Sequence, residues 1–300
     1  MSEYQVPREF VRNVGWIHPM EQEVLSHASV AIAGAGGDGG ELAIQLARLG
    51  VGELRLADPD PFEAENINRQ ACATTKTIGV NKAVAVGDYL QQINPNIRIQ
   101  TYTDGVNVDN IEQFVNGADL VIDETEFTMH ALGVMIARQA RSQGIPNLMT
   151  LNVGFGSLTT TYAPTGHTLE KTLGLSETAP LDEISEMPVP LTRWLATLPS
   201  YAHLEVFKRV AATKDGDEQL DVPTVAPGVA LAAGTAATQA FLSLVGGKNK
   251  RPQPVFAPRV IAMDAMVPST KIIRHPRLAI QTALIRMAVR SKLGRNPEAV

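Results

Sequence analysis

The sequence has very few cysteines and few aromatic residues. Cys72 is the one cysteine among 300 residues, which excludes an internal disulfide and a zinc site built from cysteine pairs. Aromatic residues make up 5% of the chain, charged residues make up 19%, and the formal net charge is −5. Proteins that bind nucleic acid non-specifically are usually basic, so this charge argues against nucleic acid as a partner.

The sequence also lacks a clear targeting or membrane segment. The N-terminus is polar and has no apolar signal-peptide core. Residues 222–247 carry no charge and are long enough to span a bilayer, but they consist largely of alanine, glycine and threonine and include Pro223 and Pro227. Small residues are typical of close packing, so this stretch is predicted to be a buried helix. We therefore expect a cytoplasmic protein without a membrane partner.

The most informative pattern lies between residues 30 and 70. An apolar run, Val30–Ala33, predicts a buried strand. A glycine cluster follows at Gly34, Gly36, Gly37, Gly39 and Gly40. An amphipathic helical pattern comes next, and a second predicted strand, Leu54–Ala57, ends at Asp58. A strand, glycine loop, helix, strand and acid in this order form a nucleotide cradle, in which the glycines admit a phosphate and the acid holds a ribose hydroxyl.

The glycines alone leave alternatives open. The G-x-G-x-x-G spacing from Gly34 to Gly39 also fits an NAD-dependent oxidoreductase. A tight turn without a ligand is the other interpretation, but five glycines in seven positions cost backbone entropy that a plain turn does not require. The residues after the second strand favour a triphosphate. Asn66, Arg69 and Lys82 can converge on it from the side opposite the glycine loop, with arginine as a planar fork and lysine as a point charge.

Acidic residues follow another predicted strand, Asp119–Asp123. Glu124 and Glu126 come directly after Asp123. The carboxyl ends of parallel strands border the ligand crevice of such a sheet, so Asp123 and Glu126 are expected to hold Mg²⁺ against the triphosphate. The alternation of strands and helices from 30 to 162 predicts a mostly parallel sheet with helices on both faces.

The order and spacing of four segments resemble a known family. GAGGDGG, LADPD, ENINRQ and GVNK are similar to the ThiF/MoeB/HesA adenylyltransferases, the bacterial relatives of ubiquitin-activating enzymes. The resemblance is specific over residues 10–155 and continues to about residue 265 through PTVAPGVALAAG. It implies an α/β, Rossmann-like, doubly wound fold in one large domain. Residues 1–162 would form its ATP-binding half, and residues 163–300 its substrate-binding and dimerisation half.

The resemblance implies ATP-dependent adenylation of a carboxylate, with ATP and Mg²⁺ as cofactors. The substrate would be the C-terminus of a small ubiquitin-like or sulfur-carrier protein, or of a peptide. The implied catalytic residues are Arg12, Arg69, Lys82 and Asp123, with Arg12 reaching the ATP site of the partner subunit in a homodimer. The implied nucleotide-binding residues are Gly34, Gly36, Gly37, Asp38, Gly39, Asp58, Asp60, Asn66 and Gln70. The metal ligands would be Asp123 and Glu126.

Two features depart from the family pattern. The usual D-x-T-D is replaced by a segment running from Asp123 to Glu126, so the second acid carries one extra methylene. This departure leaves open a non-catalytic scaffold that pairs with an active subunit. Residues 163–222 contain no cysteine to accept the substrate, and Cys72 is predicted to be a small, partly buried residue.

The second half of the chain gives weaker signals. Residues 163–222 are rich in Pro, Thr and Glu and are poorly periodic. Helices are predicted at 192–198, 203–212 and 278–293, and strands that return to the sheet are predicted within 257–267.

Overall fold

The computed structural model describes most of the chain, namely residues 4–126, 128–187, 198–203, 205–206, 209, 222–247 and 250–274. Its strands form one eight-stranded sheet in the order β3-β2-β1-β4-β5-β6-β7-β8. The strands are β1 (Ser29–Ala33), β2 (Glu53–Ala57), β3 (Arg98–Tyr102), β4 (Leu120–Asp123), β5 (Asn147–Val153), β6 (Gly156–Tyr162), β7 (Arg259–Asp264) and β8 (Ser269–Arg274). The mostly parallel α/β fold expected from the sequence is thereby confirmed.

The helices alternate with the strands through the first half of the chain. They are α1 (Pro19–His27), α2 (Gly37–Leu49), α3 (Lys82–Ile93), α4 (Ile111–Val115), α5 (His130–Ser142), α6 (Leu169–Leu173), α7 (Leu181–Glu186) and α8 (Ala226–Val245). Two 3₁₀ helices cover Arg8–Asn13 and Ala64–Asn68. The helix predicted at 278–293 lies outside the described residues, as do most of those predicted at 192–198 and 203–212.

The sheet changes direction after β5. The pairings among β1 to β5 are parallel, whereas β6, β7 and β8 are each antiparallel to the strand before them. β5 and β6 form a tight hairpin that turns at Gly154 and Phe155, with Val153 paired to Gly156. A short connection permits only an antiparallel return, since a parallel strand needs a longer crossover.

Two apolar layers cover the faces of the sheet. On one face, α2, α3 and α8 pack on β1, β2, β4 and β5 through Leu42, Leu46, Val86, Ala236 and their neighbours. On the other face, α4 and α5 pack on the same central strands through Phe114, Ile136 and Ala140. Burial on both faces explains why residues 30–33 of β1 form a continuous apolar run.

Helix α8 is the long uncharged segment noted in the sequence. By length and mean hydropathy, 1.5 over its most apolar window, it meets the criteria for a membrane-spanning helix, so composition alone does not decide the question. Its packing is more informative. Gly228 lies so close to the Gly154 carbonyl that a β-carbon would overlap it, and Val229 contacts the α2 side at Gly37. The helix therefore serves as a core element, as expected.

A buried ion-pair network fastens the segment after β6 to α5. The Glu170 side chain is fully buried and accepts hydrogen bonds from Arg138 Nε at 2.9 Å and from Arg141 Nη2 at 3.0 Å. Burial tends to raise the pKa of Glu170, but the hydrogen bonds from Arg141 and Arg138 outweigh it and lower the pKa. Arg138 also donates to the carbonyls of Ala179 and Glu177, which holds α6 and α7 against α5.

This network predicts the effect of Glu170→Gln on stability. The substitution leaves two arginines without a carboxylate and should lower the free energy of unfolding by about 3 kcal/mol at neutral pH. Because the folded-state pKa of Glu170 is lowered, its contribution is full above the unfolded pKa and is lost as the pH falls through the folded pKa. Denaturant unfolding at several pH values measures both effects.

Glu177→Gln is the matched control. Glu177 pairs with Lys171 at 2.8 Å, but both side chains are nearly half exposed, so the loss should be a small fraction of the loss at Glu170. Equal destabilisation by the two substitutions would contradict the structural role assigned to Glu170.

Candidate active site

The candidate site lies at the carboxyl ends of the central strands. From β1 the chain passes into α2 on one face of the sheet, and from β4 it passes into α5 on the other. This divergence opens a crevice between neighbouring parallel strands, the usual ligand position in such sheets. A cavity of about 1690 Å³ occupies it. Its lining includes Gly34, Gly36, Gly37, Asp38, Asp58, Asp60, Arg69, Gln70, Lys82, Asp123 and Glu126.

The glycine loop is shaped by its close approach to the end of β4. Gly34 has φ +90°, and a β-carbon there would overlap the main-chain carbonyl of Glu124. A β-carbon on Gly39 would overlap the Gly34 carbonyl. The first turn of α2 therefore lies in the crevice. The N-cap residue, Gly36, has no side chain to accept a hydrogen bond from the first N–H groups of the helix, so these groups are available to an anion.

Asp58 ties the loops after β1 and β2 together. Its Oδ2 accepts a hydrogen bond from Ala35 N at 2.8 Å, and its Oδ1 accepts one from Asp60 N at 3.0 Å. Burial raises the pKa of Asp58, and the positive charge of Lys82 opposes that rise. The carboxylate lies after the second strand at the position that holds ribose in nucleotide-binding α/β sheets.

Lys82 is brought to the crevice by the first turn of α3. The N-cap Asn81 accepts a hydrogen bond from Val84 N at 3.2 Å and donates one to the Asp58 carbonyl at 2.9 Å, which fixes the start of the helix. The Lys82 ammonium lies 2.9 Å from Asp60 Oδ2 and 3.9 Å from Asp58 Oδ1. A mostly buried cation therefore sits between two carboxylates at the cavity wall.

The NINRQ segment supplies one more cation and an unpartnered amide. Arg69 and Gln70 both line the cavity. Gln70 is buried beside Gly36, and its Oε1 has no hydrogen-bond partner in the described part of the chain. Asn66 is placed differently, because its Oδ1 accepts a hydrogen bond from Glu63 N at 3.0 Å and it is not among the described cavity residues. Asn66 shapes the turn that presents Arg69 and Gln70.

The two expected metal ligands are in different environments. Asp123 Oδ1 accepts hydrogen bonds from Thr125 N at 3.1 Å and Thr125 Oγ1 at 2.7 Å. Its Oδ2 is buried beside Gly133 and has no partner among the described residues. Burial raises the pKa of Asp123. Glu126, in contrast, is exposed and lines the cavity.

These acids fit a magnesium ion that is held chiefly by phosphate oxygens. Among the described residues no group of three or more histidine, cysteine or acidic side chains forms a metal cage. Magnesium bound with a nucleotide usually needs only one or two carboxylates beside phosphates and water. Glu126 offers an open carboxylate, whereas the oxygen of Asp123 that Thr125 leaves free, Oδ2, is buried beside Gly133.

Sequence reasoning missed the role of two acids behind the glycine loop. β4 ends at Asp123 while β5 continues to Val153, so part of the β5 edge has no strand beside it. Glu124 Oε1 accepts a hydrogen bond from Thr150 N at 2.9 Å, and Asp38 Oδ2 accepts from Asn152 N at 3.1 Å and Nδ2 at 2.7 Å. The two carboxylates accept the main-chain hydrogen bonds of β5 that a neighbouring strand would otherwise accept.

Both acids are desolvated in this position. Burial raises the pKa of Asp38 to about 6, against the hydrogen bonds from Asn152 and the charge of Arg69. Burial and the neighbouring Asp38 raise the pKa of Glu124 well above its ordinary value. The side chain of Asp38, expected at the phosphates, is turned toward β5. No local signal in the sequence predicts this role, because it depends on where β4 stops relative to β5.

Arg12 and Cys72 lie away from the cavity. Arg12 is exposed on the first 3₁₀ helix and is not among the described residues that line it. Cys72 is buried, and burial together with the charge of Glu41 raises the pKa of its thiol to about 11. The cysteine is a packed core residue, as the sequence suggested, and it is not poised as a nucleophile.

A family profile described as the ThiF family matches residues 10–280. The chain belongs to the ThiF family. Similar ThiF relatives include the heterocyst protein HesA of Trichormus variabilis, 37% identical over 102 residues. Another is the sulfur carrier protein adenylyltransferase of Thermus thermophilus, 34% identical over 110 residues. These matches cover 34% and 37% of this chain and 38% and 41% of the relatives, so the chain spans less than half of their length.

Solved structures show the same ThiF-type fold. PaaA superposes with a TM-score of 0.66 at 21% identity, covering 91% of this chain and 76% of that one. Escherichia coli MccB with ATP superposes with a TM-score of 0.64 at 18% identity, covering 92% and 73%. The resemblance to the family that the sequence motifs implied is confirmed, and the likeness at these identities establishes the fold.

The thiol of Cys72 provides a direct check on the packing of the segment that follows Arg69 and Gln70. At pH 8 iodoacetamide should label the folded protein at least about a hundredfold more slowly than the protein unfolded in urea, because a thiol with a pKa near 11 is almost entirely protonated. Mass spectrometry of timed samples gives both rates. Similar rates in the two states would mean that Cys72 is open to solvent and ionised.

Proposed function

We propose that this protein catalyses ATP-dependent adenylation of a carboxylate, giving an acyl-adenylate and pyrophosphate. The observation that carries the proposal is the meeting of Lys82 and Arg69 with the start of α2 in one cavity. A dinucleotide needs few cations at its pyrophosphate, whereas a reacting triphosphate needs several. The names of the ThiF relatives, which include adenylyltransferases, support the same chemistry.

The reaction needs positioning and positive charge more than acid–base catalysis. A carboxylate oxygen attacks the α-phosphorus of ATP, a new P–O bond forms, and the bond to the bridging oxygen breaks as pyrophosphate leaves. A C-terminal carboxyl group has a pKa of about 3.3–3.7 and is already ionised at neutral pH. The barrier lies in bringing two anions together and in stabilising charge on the phosphate oxygens.

In this proposal, different residues of the chain bind different parts of ATP. Asp58 holds the ribose, and the first N–H groups of α2 face the phosphates. Lys82 leaves Asp60 and binds a phosphate oxygen, because a phosphate carries more charge than a carboxylate. The planar guanidinium group of Arg69 donates two hydrogen bonds to the phosphate oxygens. Mg²⁺, when bound, supplies further positive charge, and Glu126 is the side chain best placed to hold it.

The substrate class follows from the relatives and not from the cavity alone. One relative is named for a sulfur carrier protein, and MccB structures contain the peptide MccA. We therefore propose the free C-terminus of a small sulfur-carrier or ubiquitin-like protein, or of a peptide, as the carboxylate. No cysteine occurs between residues 163 and 222, so the chain would release or pass on the adenylate itself.

We also propose that the active unit is a homodimer in which Arg12 acts on the partner's site. Arg12 is exposed, and apolar side chains surround it in the sequence. Trp16 is 85% exposed, and Val11, Val14 and Met20 are about half exposed or more. Exposed apolar residues grouped around a cation are typical of an interface that buries both.

Pyrophosphate exchange tests the catalytic role of Lys82. With ATP, labelled pyrophosphate and a small sulfur-carrier protein or a peptide mixture as the carboxylate source, Lys82→Ala should lower the carboxylate-dependent exchange at least about a hundredfold. Lys271→Ala, an exposed lysine on β8, is the matched control and should exchange at the wild-type rate. Normal exchange by Lys82→Ala would instead support a non-catalytic scaffold.

Co-expression of two inactive variants tests the dimer. Arg12→Ala and Lys82→Ala should each be inactive alone. When they are co-expressed, mixed dimers contain one complete site, so exchange should recover to about a quarter of the wild-type rate. No recovery, with mixed dimers confirmed by two affinity tags, would mean that Arg12 does not act across the interface.

A further inference from the structure

An apolar surface extends from the nucleotide crevice across three strands of the sheet. Met149, Thr160 and Val260 follow one another in a row across the sheet, because Met149 pairs with Thr160, and Thr160 and Val260 each lie one residue beyond the last β6–β7 pair. Leu151 and Leu158 form a second cross-strand pair beside it. Paired residues on neighbouring strands point to the same face. We call Met149, Leu151, Leu158 and Val260 the apolar strip.

The apolar strip begins where the nucleotide site ends. Asp123 lies one residue past the pairing of Ile122 with Leu148, which places it level with Met149 at the edge of the first row. Asp123 and all four residues of the strip line the same cavity. The strip is therefore a continuation of the proposed adenylation site.

The strip is not fully covered by the described part of the fold. Leu169 and Leu173 of α6 border the cavity on the same face, where α5 also packs. Met149, Leu151 and Leu158 nevertheless remain partly exposed. The cavity of about 1690 Å³ also exceeds the roughly 300–1,000 Å³ of an ordinary small-molecule site, so a nucleotide would leave part of it empty.

We propose that the strip binds the last residues of the substrate polypeptide, and that these residues carry apolar side chains. This inference rests on the proposed adenylation, because the reacting carboxylate must lie near Asp123. Val260, at the β7 end, is 3% exposed, so the open part of the strip runs from β4 to β6, about 10 Å or two strand spacings of about 4.8 Å. An extended chain advances about 3.3 Å per residue, so roughly three residues lie on the open part of the strip.

The chemistry of the strip selects against a tail made of glycines. Glycines would leave the strip in contact with water, whereas alternate apolar side chains of an extended tail would point into it and bury it. Thr160, 7% exposed, is the one polar member of its row and leaves little for a charged side chain to bind. The substrate class is therefore a polypeptide with an apolar C-terminal segment.

Peptide binding measures this preference separately from catalysis. Fluorescein is attached to the N-terminus of peptides of about ten residues that differ only in the last four, either alternating alanine and leucine or all glycine. Fluorescence anisotropy with the full-length protein and Mg-ATP analogue should show at least about tenfold tighter binding of the apolar-ended peptide, the factor for burying one leucine-sized side chain.

Variants locate the preference on the strip. Leu158→Asn should remove most of the difference between the two peptides. Ile272→Asn, the same kind of change at a 57% exposed position on β8 outside the cavity, should leave it intact. Thr160→Val should increase the preference, which keeps the test decisive if Leu158→Asn does not fold.

The outcomes separate the strip from the adenylation itself. The strip is overturned as a tail site if the two peptides bind equally well, or if the preference is unchanged in both strip variants. The first result is also the one expected if another segment of the chain covers the strip. Pyrophosphate exchange is then measured with the same peptides. Apolar-selective binding without exchange would leave the strip standing and overturn the adenylation. Exchange with glycine-ended peptides as fast as with apolar-ended ones would leave the adenylation standing and overturn the strip as a tail site.

Discussion

The close contact between the glycine loop and the end of β4 is the constraint on which the site depends. Gly34 and Gly39 lie against main-chain atoms with no room for a β-carbon, so α2 starts within the crevice and directs its first N–H groups into it. The same contact places Glu124 behind the loop, where it caps β5 beyond the end of β4. A side chain at Gly34 would separate these elements and displace the helix from the ligand.

The electrostatics of the crevice follow from this arrangement. Asp58 and Asp60 hold the ammonium of Lys82, and Glu126 lies at the same cavity, so acids outnumber cations before any nucleotide is bound. A triphosphate cannot enter such a site without compensating charge. In the proposed function this positive charge comes from Mg²⁺ and from an arginine of a second subunit. The need for the metal and the need for the dimer therefore have the same cause, the negative charge of the crevice.

The sequence predicted the first half of the fold well because its signals are local. The run from Val30 to Asp58 specifies a strand, a glycine loop, a helix and a second strand within thirty residues, and Gly50 in the left-handed conformation ends α2. The antiparallel hairpin at Gly154, the capping of β5 by Asp38 and Glu124, and the burial of Asp123 depend on where distant strands stop. Side-chain periodicity carries no information about the relative lengths of neighbouring strands. Asn66 shows the same limit, since its residue type suits a phosphate ligand and a turn cap equally well.

Calorimetric titration of the purified protein with Mg-ATP and, separately, with NAD tests the central claim most directly. The geometry of the glycine loop alone fits both ligands, but the cluster of Arg69 and Lys82 fits a triphosphate. We expect saturable binding of Mg-ATP, weakened by added salt, and no heat of binding with NAD. Saturable NAD binding without Mg-ATP binding would contradict it and make the crevice a dinucleotide site.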